Sequence, residues 1–255
     1  MESGRAVVRE AGGDGLWPSI KAFLFDLDGV LTPTADLHRQ AWAATMGPFL
    51  AGRGAVPPYS QDDYFRHIDG KPRFEGVASL LESRGLRLAF GSISDPPGRA
   101  TVGALGNAKN AEFSRLLAEG GVAPYPGTAA VLDALAGAGR RLGVVSSSKN
   151  AVPVLAAAGL LDRFELVVDG VLAARQRLAG KPSPETFVYA AAHLGCDPAE
   201  AAVVEDAISG VEAGRAGGFG LVVGLDRGVG RAALAAAGAD LVIDELPALL
   251  AAPTP

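Results

Sequence analysis

Short apolar runs alternate with helical stretches along most of the chain. Six runs have the length and composition of buried strands: residues 21–26, 141–146, 164–168, 202–205, 219–223 and 240–243. One helical stretch covers residues 128–138, and another begins at Ser183, an N-cap residue followed by Pro184, and stops at Gly195. This alternation predicts an α/β fold with an open, doubly wound parallel sheet and helices on both of its faces.

Residues 27–140 separate the first predicted strand from the second, which is too long a stretch for a single crossover connection. Much of it is rich in helix formers, interrupted by a loop of glycine, proline and serine at residues 90–103. We therefore expect a helical cap over residues 38–120, inserted into a core of residues 20–37 and 121–255. Open α/β sheets bind ligands at the carboxyl ends of their strands, where this cap is expected to lie.

The composition excludes several classes of protein. At 255 residues, 49% hydrophobic and 20% charged, the chain is long and apolar enough to bury a sizeable core. The net charge of −5 argues against nucleic acid or an anionic membrane as the main partner. No apolar run reaches the ~18 residues of a membrane span, and the single cysteine, Cys196, excludes a disulfide framework. The composition of residues 1–19 is typical of a flexible polar lead rather than a signal peptide, so we expect a cytoplasmic protein. We also expect it to be a monomer.

The strongest candidate for chemistry is a pair of carboxylates at the end of the first predicted strand. Asp26 and Asp28 leave the strand on the same side because strand side chains alternate, and Gly29 then permits a sharp turn. One carboxylate of such a pair can attack phosphorus while the other gives and takes the proton. Two neighbouring anions also call for a cation, and Mg²⁺ has the matching preference for oxygen ligands. A solvated acidic turn is the alternative interpretation of this pair alone.

Two further candidates lie in later loops. Ser146 ends an apolar run before a predicted helix start, where its hydroxyl and nearby backbone N–H groups can bind phosphate. Ser147 or Ser148 acting as an ordinary N-cap is the alternative. Lys181 is one of only five lysines, and the prolines around it would hold its ammonium group rigidly against a phosphoryl oxygen. A surface lysine in a turn is the alternative here.

A second pair of acids, Glu205 and Asp206, ends the fourth predicted strand. Asp206 is a candidate Mg²⁺ ligand beside Asp26, and Glu205 is a direct or water-mediated one. Asp206 as the N-cap of the next helix is the alternative, and the two roles are compatible. The order of the four segments favours the functional interpretation: acid pair, serine, lysine and acid pair, each near a strand end in one sheet.

These segments resemble the four motifs of the haloacid dehalogenase-like (HAD) phosphotransferases, and the likeness spans residues 20–250. Within that superfamily the chain resembles the β-phosphoglucomutase branch. The closer likeness rests on Thr34, His38 and Trp42 after the first motif, on residues 147–150 around the second, and on segments 69–73 and 106–110 of the cap.

The resemblance implies a HAD-like Rossmannoid core and a role for each motif. Asp26 would be the nucleophile and Asp28 the general acid and base. Mg²⁺ would bind Asp26, Asp206 and the main-chain carbonyl of Asp28. Ser146 and Lys181 would bind the phosphoryl group during transfer.

The resemblance also implies a substrate-binding set from the cap and from its interface with the core. Arg73 would grip the second, non-reacting phosphate, since a guanidinium binds phosphate through two parallel bonds; a solvated charge on a cap helix is the alternative. His38 would couple Asp28 to substrate binding, with a structural histidine beside Trp42 as the alternative. The other members of the set are Thr34, Gly70, Lys109, Asn110, Ser147, Lys149 and Asn150.

The chain departs from the pattern of the branch at three places. Asp69 stands where better-known members carry a basic residue, Pro33 replaces an acidic one, and the loop at residues 90–103 is long.

We expect Mg²⁺-dependent phosphoryl transfer on a small phosphorylated sugar through an aspartyl phosphate. The favoured reaction is the interconversion of β-glucose 1-phosphate and glucose 6-phosphate. A sugar-phosphate or other small-molecule phosphatase is the alternative enzyme. A phospho-acceptor module without catalytic activity is the alternative from another class.

Overall fold

A parallel β-sheet forms the centre of the computed structural model, which describes residue 17 and residues 19–251. Its six strands have the order β3-β2-β1-β4-β5-β6, and every neighbouring pair is parallel. The strands are β1 (Ala22–Phe25), β2 (Arg141–Val145), β3 (Leu166–Val168), β4 (Ala201–Glu205), β5 (Leu221–Leu225) and β6 (Leu241–Ile243). All six predicted strands are present, and the predicted α/β fold is confirmed.

Helices connect the strands and form the inserted segment between β1 and β2. They are α1 (Thr34–Gly52), α2 (Gln61–Asp63), α3 (Arg73–Glu82), α4 (Val102–Gly120), α5 (Thr128–Gly137), α6 (Ala151–Ala157), α7 (Gly170–Gln176), α8 (Glu185–His193), α9 (Ile208–Ala216) and α10 (Arg231–Ala237). A π-helical turn at Tyr64–Ile68 continues α2. The predicted start of α8 was early, because the helix begins at Glu185 rather than at Pro184, a shift within the usual variation of helix ends.

The core has two apolar layers because the side chains of β1 alternate between the faces of the sheet. Phe23 and Phe25 pack in the layer that includes α5 and α6. Ala22 and Leu24 pack in the opposite layer, which includes α8 and α9. All four side chains are fully buried, which explains why β1 is a continuous apolar run rather than an alternating one.

The inserted segment has an apolar cluster of its own, and α1 packs chiefly against α4 within it. Helix α1 joins both units, since Ala41 belongs to a core layer and its neighbour Trp42 belongs to the cap cluster. The loop between α3 and α4 contains neither helix nor strand, but the predicted loop of residues 90–103 was two residues too long, because α4 begins at Val102. The domain limits at residues 38 and 120 stay predictions, and most of the predicted lead, residues 1–16 and 18, lies outside the described residues. Among the described residues, no helix is long and apolar enough to cross a membrane.

Candidate active site

The candidate site lies where the strand order changes direction, at the carboxyl ends of β1 and β4. Residue Phe25 pairs with Val144 on one side and with Val204 on the other. The register therefore brings the residues that follow these strands to one edge of the sheet. Asp26, Asp28, Ser146, Lys181, Glu205 and Asp206 all line one cavity of about 330 Å³ at this edge.

Lys181 is the buried cation of the site, with only 2% of its surface exposed. Its Nζ lies 2.6 Å from Asp26 Oδ1 and 2.5 Å from Glu205 Oε1, and it donates a hydrogen bond of 3.0 Å to the carbonyl of Val145. Burial lowers the pKa of Lys181, but the two carboxylates outweigh burial and raise that pKa above its usual value. Lys181 is therefore a charged group of the site rather than a surface lysine.

The carboxylate of Glu205 pairs with Lys181 and with two backbone N–H groups that follow it in the chain. Its Oε2 accepts hydrogen bonds from the N–H groups of Asp206 and Ala207, at 2.9 and 3.0 Å. A Cβ on Gly210 would lie 1.9 Å from Glu205 Oε1, so glycine is needed there to leave room for the carboxylate. Both oxygens of Glu205 thus have partners, and its binding of a metal directly or through water stays a prediction.

Asp26 and Asp206 are buried carboxylates with raised pKa values. Burial is the main reason why the pKa of Asp26 is raised to about 8. Lys181 lowers this pKa and Glu205 raises it. Burial together with Asp69, Glu205 and Asp26 raises the pKa of Asp206 well above its usual value. Such raised pKa values mean that the ionised pair needs further positive charge.

The donor set fits a hard divalent cation. Two carboxylates from Asp26 and Asp206 supply oxygen ligands, and the main-chain carbonyl of Asp28 is a third candidate. Gly29 has a φ of +95°, and a Cβ there would lie 1.9 Å from Asp206 Oδ2, so this glycine keeps the cradle open. Within the described part of the chain, no three histidine, cysteine or acidic side chains form a metal-binding group by themselves.

Asp28 belongs to a chain of polar contacts that runs into the cap. Thr34 donates a hydrogen bond to Asp28 Oδ1, and His38 Nε2 lies 3.3 Å from the same oxygen. His38 Nδ1 contacts Lys109 Nζ, and the imidazole stacks on Phe113 with a centroid distance of 4.0 Å. Burial raises the pKa of Asp28, but His38, Thr34 and Lys109 outweigh it and lower that pKa. Burial lowers the pKa of Lys109 to about 7.

The loop after β2 holds Ser146 in the cavity. Ser146 Oγ accepts a hydrogen bond of 3.1 Å from the N–H of Ser148, and Ser148 Oγ accepts one of 3.1 Å from the N–H of Asn150. Helix α6 begins at Ala151 with Asn150 in the N-cap position, so neither Ser147 nor Ser148 is its cap. Asp206 is not a cap either, because Ala207 occupies that position before α9.

Three hydrogen bonds join the core to the cap above the cavity. Ser147 Oγ donates to the carbonyl of Gly70 at 2.8 Å, and Asn150 Nδ2 donates to Asn110 Oδ1 at 3.0 Å. Ser209 Oγ donates to the carbonyl of Asp69 at 3.1 Å. These contacts place the predicted cap and core residues on opposite walls of one cavity.

Arg73, at the start of α3, lines the same cavity as Asp26. Its guanidinium is half-buried, lies 4.7 Å from the Phe74 ring centroid and donates through Nη2 to Asn107 Oδ1 at 3.1 Å. Its Nε is buried without a hydrogen-bond partner among the described residues. Arg73 is therefore part of the cavity wall with a free donor, which excludes the alternative of a fully solvated charge.

A family model of haloacid dehalogenase-like hydrolases matches residues 20–218 of the chain. The chain belongs to this family. It is therefore an enzyme of the haloacid dehalogenase superfamily, which excludes the alternative of a module without catalytic activity.

Relatives of this haloacid dehalogenase-like enzyme include proteins named β-phosphoglucomutase. The one from Mycobacterium bovis is 47% identical over 247 residues, which cover 92% of this chain and 94% of that protein. The one from Bacillus subtilis is 33% identical and covers 88% of this chain and 89% of that protein. A solved β-phosphoglucomutase structure from Clostridium difficile has a TM-score of 0.72 at 27% identity and covers 89% of this chain and 91% of that one. The predicted resemblance and fold class are confirmed.

Four residues of this haloacid dehalogenase-like site were not predicted as functional. Tyr64 lines the cavity, and its hydroxyl is hydrogen-bonded to Asp69, whose pKa is raised to about 6, mainly by burial. Ser209 and Asn107 were missed as partners of the cap and of Arg73. The only sequence signal was the acidic residue at position 69, which departs from the pattern of the branch.

Proposed function

We propose that this enzyme is an Mg²⁺-dependent phosphosugar phosphotransferase that works through an aspartyl phosphate and interconverts β-glucose 1-phosphate and glucose 6-phosphate. The observation that carries the proposal is the presence of Arg73 in the same cavity as Asp26. A mutase must bind a sugar bisphosphate in both orientations, so it needs a second phosphate site opposite the nucleophile. The 47% identical relative named β-phosphoglucomutase supports the same activity.

Asp26 is the proposed nucleophile. Lys181 is bonded to Oδ1, which leaves the other carboxylate oxygen to attack phosphorus. Lys181 and Ser146 would then bind the phosphoryl oxygens, where charge is spread during transfer. Mg²⁺, held by Asp26, Asp206 and the main-chain carbonyl of Asp28, would supply the positive charge that lets the ionised nucleophile and the phosphate approach each other.

Asp28 is the proposed proton carrier. When the phosphoryl group moves from Asp26 to a sugar hydroxyl, Asp28 takes the hydroxyl proton. When the bisphosphate donates its other phosphoryl group back to Asp26, Asp28 returns the proton to the leaving sugar oxygen. The contacts from Thr34 and His38 fix the carboxylate for both steps.

Cap closure is the proposed way in which the enzyme favours sugar over water. The contacts of Ser147 with Gly70 and of Asn150 with Asn110 close the cap over the core. A closed cavity keeps bulk water from the aspartyl phosphate while the sugar is bound.

A phosphatase acting on sugar phosphates is the second candidate, and Asp69 is the observation that favours it. This acid faces the cavity, where added negative charge opposes the binding of a second phosphate. A solved structure of CbbY from Rhodobacter sphaeroides in complex with phosphate has a TM-score of 0.67 at 26% identity, covering 91% of this chain and 100% of that one.

A product assay separates the two candidates. Purified enzyme is incubated with Mg²⁺, β-glucose 1-phosphate and a trace of glucose 1,6-bisphosphate, and both glucose 6-phosphate and inorganic phosphate are measured. We expect glucose 6-phosphate to form faster than phosphate, and both products to be lost with a chelator or with Asp26→Asn. If inorganic phosphate dominates, the enzyme is the phosphatase.

A further inference from the structure

Asn107 lies on the first turns of α4 and uses its whole side-chain amide. Its Nδ2 donates to two carbonyls of the loop between α3 and α4, those of Ile93 at 3.0 Å and Asp95 at 2.7 Å. Its Oδ1 accepts the hydrogen bond from Arg73 Nη2 at 3.1 Å. Because two carbonyls must face the amide nitrogen, the amide oxygen can only face the guanidinium.

The loop that Asn107 holds is itself fixed. Thr101 donates to Asp95 Oδ2 at 2.5 Å and caps α4 by accepting from the N–H of Ala104 at 3.0 Å. A Cβ on Gly103 would lie 2.1 Å from the carbonyl oxygen of Ser92, so the loop sits directly on the start of α4. A fixed loop gives Asn107 a fixed orientation.

Arg73, the other partner of Asn107, lies in the wall of the candidate active site. Arg73 and Ile93 both line the cavity, and Phe74 lies beneath the guanidinium. A Cβ on Gly106 would lie 2.6 Å from the Phe74 ring, so α4 approaches this wall as closely as its sequence permits. Asn107 holds Nη2, and Arg73 lines the cavity with its guanidinium in that orientation.

We propose that Asn107 is a positioning residue that orients Arg73 toward the second phosphate of the substrate, an inference that rests on the proposed function. An arginine side chain has many rotamers, and fixing one edge of the guanidinium removes part of the ordering cost of binding. Asparagine suits this role because it is a neutral acceptor. A carboxylate in its place would neutralise the guanidinium and repel the phosphate.

The test compares two substrates, glucose 1,6-bisphosphate and p-nitrophenyl phosphate, which has no second phosphate. Asn107→Ala is expected to lower the ratio of the two kcat/KM values (bisphosphate over p-nitrophenyl phosphate) about 10-fold, the effect of one hydrogen bond to a charged group. The loss is expected in KM for the bisphosphate rather than in kcat. Asn107→Asp is expected to lower the ratio further than Asn107→Ala does.

A double-mutant cycle with Arg73→Ala decides whether Asn107 acts through Arg73. We expect Asn107→Ala to have no further effect on the ratio when Arg73 is already alanine. Glu112→Ala is the matched control, because it removes the side-chain hydrogen bonds with Arg115 on the same helix without touching Arg73 or the loop that holds Asn107, and it is expected to keep the wild-type ratio. Equal losses in both Arg73 backgrounds, or an equal loss in the control, would overturn the inference.

These results are independent of the mutase assay. Consumption of glucose 1,6-bisphosphate alone is measured directly. Each turnover transfers one phosphoryl group to Asp26, releases a glucose monophosphate and ends when water hydrolyses the aspartyl phosphate, in a mutase as in a bisphosphate phosphatase. Release of mainly inorganic phosphate from β-glucose 1-phosphate in the mutase assay would refute the mutase, while additive effects of Asn107 and Arg73 on the ratio would refute the positioning role.

Discussion

Lys181 is the position at which the charge balance of the site can be tested most directly. Replacing it with methionine keeps most of the side-chain volume beside Phe187 but removes the ammonium group, whose Nζ lies 5.0 Å from the Phe187 ring centroid. The carboxylates at 2.6 and 2.5 Å, Asp26 and Glu205, would then be buried without their common partner. The variant isolates the charge of Lys181 from its packing.

The expected cost follows from burial. Breaking a buried ion pair by removing one partner typically costs about 3–5 kcal/mol, because the remaining charge is left without compensation. Both Lys181 and Glu205 are nearly inaccessible to solvent, so we expect the free energy of unfolding of Lys181→Met to fall by about 3–5 kcal/mol at pH 8.

The pH dependence has a definite sign. The pKa of Lys181 is raised, so its stabilising effect in the wild type is fully present below its unfolded pKa and is lost only as the pH rises through the folded value. The pKa of Asp26, already raised to about 8, must rise further in the variant, and a group with a raised pKa is least destabilising at low pH. The deficit of the variant should therefore shrink between pH 8 and pH 6.

Urea unfolding with a chelator present, at pH 6 and pH 8, measures these differences. Lys181→Met combined with Glu205→Gln is the matched comparison, and it should recover part of the loss because it removes an uncompensated charge. A single variant within about 1 kcal/mol of the wild type at pH 8 would show that the ion pair adds no net stability. A double variant less stable than the single one would refute the charge-balance reasoning.

Three further substitutions test other parts of the structure. Gly29→Ala should lower Mg²⁺-dependent activity by at least about 10²-fold, because its Cβ would lie 1.9 Å from Asp206 Oδ2, and circular dichroism should show that the variant is folded. Lys109→Met should remove a bend near pH 7 from the pH profile of kcat/KM, since the pKa of Lys109 is about 7. Arg84→Met should lower the free energy of unfolding at pH 7 by about 3 kcal/mol, because Arg84 Nη2 bonds both oxygens of Asp63 at 2.7 Å. Although burial opposes it, Arg84 keeps the pKa of Asp63 low, so in urea unfolding this difference should shrink as the pH falls through that lowered pKa.

The part of the site that lies in the core could be predicted from the sequence because parallel strands impose it. Asp26 and Asp206 each follow an apolar strand, and neighbouring parallel strands end at the same edge of a sheet. No knowledge of the cap was needed to bring these two residues together. The same reasoning located Ser146 at the end of β2.

The part of the site that depends on the docking of the cap could not be predicted in this way. Asp69 and Tyr64 lie in the cavity because the cap packs against the core. At this contact Ser209 Oγ donates a hydrogen bond to the carbonyl of Asp69 and lies so close to Gly70 that there is no space for a Cβ. Asn107 reaches Arg73 because two helices and a long loop pack together. These contacts join residues distant in the chain and follow no strand or helix period, so hydrophobic patterning carries no signal for them.

The distribution of partners among the acids supports the proposed place of the Mg²⁺ ion. Glu205 is paired with Lys181 and with two backbone N–H groups, and Asp28 is held by Thr34 and His38. Lys181 also contacts Asp26, but it shares its single charge between two carboxylates. Asp206 makes no ion pair among the described residues, and its pKa is raised well above its usual value. The need for further positive charge is therefore greatest between Asp26 and Asp206. This is the proposed place of Mg²⁺, beside the oxygen atom that would attack phosphorus.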